Sequence, residues 1–285
     1  MSPPAPSTAP VRVAFVLGGG GVLGASEVGM LQALHEHGVR ADLVVGTSVG
    51  AINGVLHAAD PDDVLGIAQV WQSLSGSAVF GGSTAARVRH LVQLPTALHG
   101  NAELRALLES RLGTAGFADL RLPFECCAAS IERASEHWFT EGPLVSAVLA
   151  SSAVPGLFPA VRIGDEHFLD GGLVNSIPIA RAISRGARTV YVLQVGRIER
   201  ELTPPTRPWD VATVAFEIAR RHRFARDLAE VPDDVVVHVL PSGYAATPLT
   251  SWRYRDMSAV PRRIELARTA SAAYLAALAP SPGRA

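Results

Sequence analysis

Three apolar residues, Leu43-Val44-Val45, run straight into Gly46-Thr47-Ser48-Val49-Gly50, and small and apolar residues follow at helical spacing through Ala51-Ile52-Asn53. The pattern reads as a buried strand, a sharp turn and the start of a helix, with Ser48 at the apex. A serine held there is exposed and strained. It also sits close to a helix N-terminus, where negative charge is favoured. Gly-x-Ser-x-Gly can also arise by coincidence in a chain with 26 glycines. Ser48 therefore needs partners before it means anything.

Composition limits what those partners can serve. At 285 residues, 48% of them hydrophobic, the chain has ample material for a core and is not of the disordered class. A net charge of −1 argues against a nucleic-acid partner held by phosphate contacts. All 25 basic residues are Arg, so Lys cannot be a catalytic base. The two cysteines, Cys126 and Cys127, are adjacent and point to opposite faces of one strand. They can neither staple the fold nor supply a zinc spacing. They are compatible with a reducing, cytoplasmic compartment. Met1 to Pro10 reads as a flexible tail without the features of a secretory leader, and no run of 18 apolar residues spans a membrane.

Along the chain, Val11 to Leu17 is an apolar strand, followed by Gly18 to Gly21, Val22-Leu23-Gly24, and a helix from Ala25 to His37. That strand, glycine turn and helix would present backbone N–H groups to an anion. Three readings compete for it. Gly19-x-Gly21-x-x-Gly24 fits a dinucleotide fingerprint, but the acid expected after the second strand is missing, since Asp42 precedes Leu43 to Val45. The turn could instead be an oxyanion hole for Ser48, or simply a tight turn that needs glycine. After the helix following Ser48, the span from about 62 to 112 is mostly helical and would cover the sheet or wall a groove, with Asn101 capping its last helix. Phe124 to Ile131 and Glu136 to Phe139 are strands. Ala147 to Ala153 is a helix stopped by Pro155. Val161 to Ile163 and His167 to Leu169 form a hairpin that delivers Asp170-Gly171-Gly172 at its end. A helix from Pro178, a strand Thr189 to Val195, a helix Asp210 to Glu230, a strand Asp234 to Leu240 and a helix Pro261 to Leu278 complete the chain. Arg220, Arg221, Arg223 and Arg226 form a basic cluster, either a solvated helix face or a dock for anionic lipid.

Strands alternating with helices give an α/β fold with helices on both faces of a sheet, and ligand sites in such folds lie beyond the carboxyl ends of the strands. The glycine turn, Ser48 and Asp170 all follow apolar strands immediately. A serine needs a base. The order Ser48, Asp170, then His222 or His238 matches an α/β-hydrolase triad, but only one strand precedes the serine strand, where that fold builds several. Both histidines are more simply structural. In the alternative dyad Asp170 takes the proton itself, which requires a desolvated pocket to raise its pKa.

Taken together, Gly19-Gly20-Gly21-Val22-Leu23-Gly24-Ala25, Gly46-Thr47-Ser48-Val49-Gly50-Ala51-Ile52-Asn53, Ala150-Ser151-Ser152-Ala153-Val154-Pro155-Gly156-Leu157-Phe158-Pro159, Asp170-Gly171-Gly172 and Val174-Asn175-Ser176-Ile177-Pro178 resemble the patatin-like phospholipase family, over roughly Val11 to Val195. The resemblance implies a three-layer α/β/α sandwich with a mostly parallel sheet, forming one catalytic domain over 11–280. It implies a lipid acyl hydrolase that uses neither metal nor cofactor, with Ser48 as nucleophile and Asp170 as general base. Gly19, Gly20 and Gly21 would line the oxyanion hole, with the N–H groups of Gly20 and Gly21 the main donors. Gly24, Gly46, Gly50, Gly171 and Gly172 are the framing motif glycines. Lipid or acyl-ester substrates and peripheral contact with a membrane surface are the implied partners. One position departs from the family: Leu23 stands where Arg or Lys is usual. The departure weakens the inference to phospholipids more than that to esters. A non-catalytic acyl-binding module is the reading of a different class.

Overall fold

One sheet organises the chain. The computed structural model describes residues 11–75, 100–195, 201–206, 208–243 and 257–278. The N-terminal tail, most of the glycine- and serine-rich break near 73–83, and the end of the chain lie outside the described residues. The strands are β1 (Val13–Leu17), β2 (Leu43–Thr47), β3 (Phe124–Ser130), β4 (Ser135–Phe139), β5 (Val161–Ile163), β6 (Glu166–Asp170), β7 (Thr189–Leu193) and β8 (Val236–Val239). They lie in the order β5-β6-β3-β2-β1-β7-β8, with β4 paired to β3. Strands β3, β2, β1, β7 and β8 are mutually parallel, while β4 and β6 run antiparallel to β3.

The parallel strands are apolar on both faces, as a sheet covered on both sides requires. Ala14 and Val16, Leu43 and Val45, and Val190 and Val192 face one core, together with Ile179 and Phe224. Phe15, Leu17, Val44, Phe124 and Cys126 face the other. Period-2 alternation thus splits each strand between two helical layers, giving the three-layer sandwich. The larger layer holds α1 (Ala25–Glu36), α2 (Val49–Ala59), α3 (Val64–Ser75), α4 (Ala102–Leu112), α5 (Leu144–Ser151) and α8 (Val260–Leu278). The smaller holds α6 (Ile179–Ser184) and α7 (Pro208–Ala229).

The first layer is led by α1, buried along nearly its whole length and crossed by α8. At the crossing, a Cβ built on Gly29 would lie 2.0 Å from the Ile264 carbonyl oxygen. In the second layer, α6 is tied to the sheet through Glu125 of β3, which accepts from Arg181 Nε at 2.5 Å and pairs with Arg185 Nε at 2.7 Å. Within the expected 62–112 covering segment, α3 and α4 both pack on the core. Leu104, Leu108 and Leu112 form the buried stripe of α4. Asn101 occupies the N-cap position of α4, but its backbone is not extended as a cap's is and its side chain makes no capping bond. No described helix is long and apolar enough to cross a membrane.

The α1–α8 crossing gives a test of sign. On an exposed helix, Gly→Ala stabilises by about 1 kcal/mol. Here Gly29→Ala is expected to destabilise by about 1–3 kcal/mol or more, because the methyl group meets backbone that cannot step aside. A urea midpoint that rises or stays put in this variant refutes the crossing.

Candidate active site

The site is built where two strands meet. β3 pairs with β2 through Phe124 to Cys127, and with the incoming β6 through Ala128 to Ser130, while β4 holds its other edge. β2 and β6 therefore lie head to head along one edge of β3. Thr47 is opposite Cys127 and Asp170 is opposite Ala128, the next residue along. The residue after Thr47 is Ser48, and its Oγ donates to Asp170 Oδ2 at 2.5 Å. Both side chains are buried, Ser48 being 7% and Asp170 2% exposed.

Ser48 sits between strand and helix with φ 58 and ψ −127, one of only two non-glycine residues at positive φ among those described. That conformation costs about 1–3 kcal/mol and must be held by its surroundings. Two hydroxyls at the end of α5 hold it. Ser48 N–H donates to Ser151 Oγ at 3.0 Å, and Ser152 Oγ donates to the Ser48 carbonyl at 3.0 Å. The elbow also packs too tightly for side chains. A Cβ on Gly46 would lie 2.6 Å from the Gly50 carbonyl oxygen, and one on Gly50 would lie 2.3 Å from that of Leu17.

Asp170 is fixed as closely. Its Oδ1 accepts from the Gly172 N–H at 2.7 Å, and its own N–H donates to the Ala153 carbonyl at 2.9 Å. A Cβ on Gly171 would lie 2.2 Å from the Cys127 carbonyl oxygen, and one on Gly172 would lie 2.7 Å from the Phe216 ring. Burial drives the carboxyl pKa up, the hydrogen bonds from Ser48 and Gly172 pull it back, and the balance is about 6.

The glycine turn closes the third side. Gly18 N–H donates to the Leu193 carbonyl and Gly19 N–H to the Ser176 carbonyl, each at 2.9 Å. Of the three glycines expected around an oxyanion, Gly19 thus has its donor committed. Gly21, at φ 56, leads into a 3-10 turn, Gly21–Gly24. A Cβ on Gly20 would lie 1.8 Å from Val195 Cγ2, and one on Gly24 would lie 2.4 Å from Val49 Cγ2. Leu23 is half-buried in that turn. The Val174-to-Pro178 segment straps the parts together, with the Asn175 carbonyl accepting from Thr47 Oγ1 at 2.9 Å in addition to the Ser176–Gly19 bond.

Several sequence candidates lie elsewhere. Asp42 Oδ2 accepts from the N–H groups of Arg12 and Val13 at 2.9 Å, at the opposite end of β1, away from any ribose that a glycine fingerprint could serve. His238 stacks on Tyr191 and lies 3.2 Å from the Tyr274 hydroxyl, and His222 is exposed on α7. The arginine cluster is ion-paired throughout, from buried Arg220 to exposed Arg226. Arg220 is buried against Glu217 and Gln194, Arg221 pairs with Glu217, Arg223 with Glu136 and Asp227, and Arg226 with Asp227. Among the described residues no three His, Cys, Asp or Glu side chains converge as metal ligands would. In the sequence, Ser151 and Ser152 stand out only as part of the motif that carries the family resemblance. Their signal as elbow clamps is a pair of adjacent hydroxyls at the end of a mostly apolar helix. Phe216 carried no signal at all.

The patatin-like phospholipase family model matches residues 15–183. The patatin-like phospholipase domain-containing protein ZK370.4 of Caenorhabditis elegans is 33% identical over 204 residues, an overlap of 66% of this chain and 14% of that protein. Lysophospholipase NTE1 of Phaeosphaeria nodorum is 31% identical over 194 residues, covering 66% and 12% respectively. The chain thus spans only a small part of the length of these relatives. The crystal structure of VipD from Legionella pneumophila superposes with a TM-score of 0.47 at 15% identity, covering 95% of this chain and 68% of that one. The chain belongs to the patatin-like phospholipase family.

Proposed function

We propose that this chain is a serine hydrolase that cleaves acyl esters of lipids through a dyad of Ser48 and Asp170. The observation that carries the reading is the direct 2.5 Å bond from Ser48 Oγ to a buried carboxylate, with no histidine between them. As Oγ attacks the ester carbonyl, Asp170 takes its proton and the carbonyl oxygen becomes an oxyanion. The N–H groups of the Gly20–Gly21 turn stabilise that charge. Collapse breaks the bond to the leaving alcohol, which receives the proton from Asp170, and leaves an acyl-serine. Water then gives a proton to Asp170 and adds to the acyl carbon. Collapse returns the proton to Ser48 Oγ and releases the fatty acid. Desolvation suits Asp170 to this role, since a carboxylate at its ordinary pKa is a weak base.

Lipid esters are the substrate class because the family is one of phospholipases, and relatives are named lysophospholipases. Leu23, a half-buried apolar residue where the family has a cation, favours an ester whose recognition does not depend on a phosphate at that position. A panel of lysophospholipids, diacyl phospholipids and acylglycerols ranks the substrates. A fluorophosphonate should label the wild type but not Ser48→Ala, and absence of labelling in the wild type refutes the hydrolase. His222→Ala and His238→Ala should leave turnover unchanged; a large loss in either restores the triad.

Asp170 also sets expectations for pH dependence, turnover and stability. As the base must be ionised, kcat/KM should fall as pH drops through about 6 and level off above it. Asp170→Asn should lower kcat by about a thousandfold or more. The same shift bears on stability. The folded pKa, about 6, lies above the ordinary value of 3.8, so ionisation penalises the folded state. The penalty is absent below the unfolded pKa, grows between the two values and is complete above 6. At pH 8, Asp170→Asn should therefore be the more stable protein by up to about 3 kcal/mol, an advantage that fades toward pH 4. Thermal unfolding at both pH values measures it.

A further inference from the structure

The nucleophile begins α2 and the glycine turn begins α1, and a buried polar network joins these two helices behind the site. Asn53, on α2 and wholly buried, donates from Nδ2 to the Gly24 carbonyl at 3.0 Å and to Glu27 Oε2 at 2.7 Å. Its Oδ1 accepts from Trp71 Nε1 of α3 at 2.8 Å. Trp71 is also buried, and a Cβ on Gly24 would lie 3.0 Å from its ring. Gly24 closes the 3-10 turn that Gly21 opens, and Glu27 lies one turn further along α1. The network therefore grips the end of the turn from one side and the nucleophile helix from the other. The mechanism uses none of the three side chains.

We propose that Glu27, Asn53 and Trp71 are positioning residues that fix the distance between Ser48 Oγ and the backbone donors of the Gly20–Gly21 turn. The proposal rests on the assignment of Ser48 and that turn given above. An oxyanion hole acts through donors aligned before the charge forms, so a displacement of about 1 Å is felt mainly in kcat. A polar network is also costly to leave half satisfied in a core, and three apolar side chains would fill the same space more cheaply. Burial raises the Glu27 pKa well above the ordinary value, against the lowering effects of the Asn53 bond, the Gly18 backbone and the Arg220 charge, and so favours the protonated form. A neutral carboxyl accepts from Asn53 without bringing a negative charge near the developing oxyanion.

The test uses the full chain, with active sites counted by complete fluorophosphonate labelling and turnover read on p-nitrophenyl butyrate and its thionoester counterpart. Asn53→Ala and Glu27→Ala should lower kcat per labelled site by about tenfold or more at nearly constant KM. They should also narrow the preference for the oxygen ester over the thionoester, which reports on oxyanion alignment. Glu27→Gln, isosteric with the neutral acid, should recover most of the turnover lost in Glu27→Ala. If a truncation does not fold, Trp71→Phe carries the test, since it keeps the bulk and removes one N–H. A lower melting temperature with kcat per site and ester preference unchanged overturns the proposal and leaves the network a purely structural role. Labelling that persists in Ser48→Ala overturns the nucleophile assignment instead, a separate result.

Discussion

Two strands running toward each other along one edge of β3 are the constraint on which the site depends. β2 arrives parallel to β3 and β6 arrives antiparallel, and their ends fall opposite consecutive residues, Cys127 and Ala128. Backbone pairing, accurate to fractions of an ångström, thereby places Ser48 and Asp170 in contact across 122 residues of sequence. Register matters here more than in an ordinary core. A slip of one residue in β6 would turn Asp170 to the other face of the sheet. The missing side chain at Gly171 follows from the same geometry, because the chain must turn within van der Waals contact of the Cys127 carbonyl.

A junction of this kind must be closed from every side, and the two layers share the work. From the larger layer, α5 ends in the two serines that hold both backbone groups of Ser48. From the smaller, α7 lays Phe216 over Gly172 and fastens itself through Arg223, which donates to the Val174 carbonyl at 2.9 Å. Each tie is worth about 1 kcal/mol, comparable to the backbone strain at Ser48. The elbow holds its shape because several such ties converge on it. This also accounts for the arginines of α7: paired with acids on the same helix and on β4, they are fasteners more than a charged surface.

The fold was legible because its signals are local. Apolar runs between glycine-rich turns mark parallel strands, and the helices between them begin and end where Pro, Gly and Asp fall. The three motifs that meet at the candidate site stand out for a related reason. Gly46, Gly50, Gly171 and Gly172 are needed where backbones approach, and a need for glycine leaves a mark in the sequence. What sequence concealed was pairing. Nothing in Ser151-Ser152 says which carbonyl and N–H they meet. Nothing in Gly29 announces Ile264, 235 residues later by subtraction of their positions. The arginine cluster hides its pairing in the same way, because i, i+3 and i, i+4 acids on the same helix, Glu217 and Asp227, engage charges that a bare count treats as open. Asn101 misled because the residue type favours a cap while the backbone at that position does not form one.

The two buried carboxyls near the site show how one force yields two chemistries. Desolvation is the largest influence on both Asp170 and Glu27, and in both it favours the protonated form. Asp170 meets two donors, the Ser48 hydroxyl and the Gly172 N–H, and these return its pKa to about 6. It can therefore be ionised at neutral pH and still bind a proton firmly enough to act as a base. Glu27 feels lowering contributions from the Asn53 amide, the Gly18 backbone and the Arg220 charge, yet burial outweighs all three and its pKa stays well above the ordinary value. Were both ionised, two buried negative charges would stand around the elbow. A protonated Glu27 avoids that repulsion while still accepting from Asn53. The difference is set by how far the surrounding dipoles and charges offset burial at each carboxyl, which residue type alone does not decide.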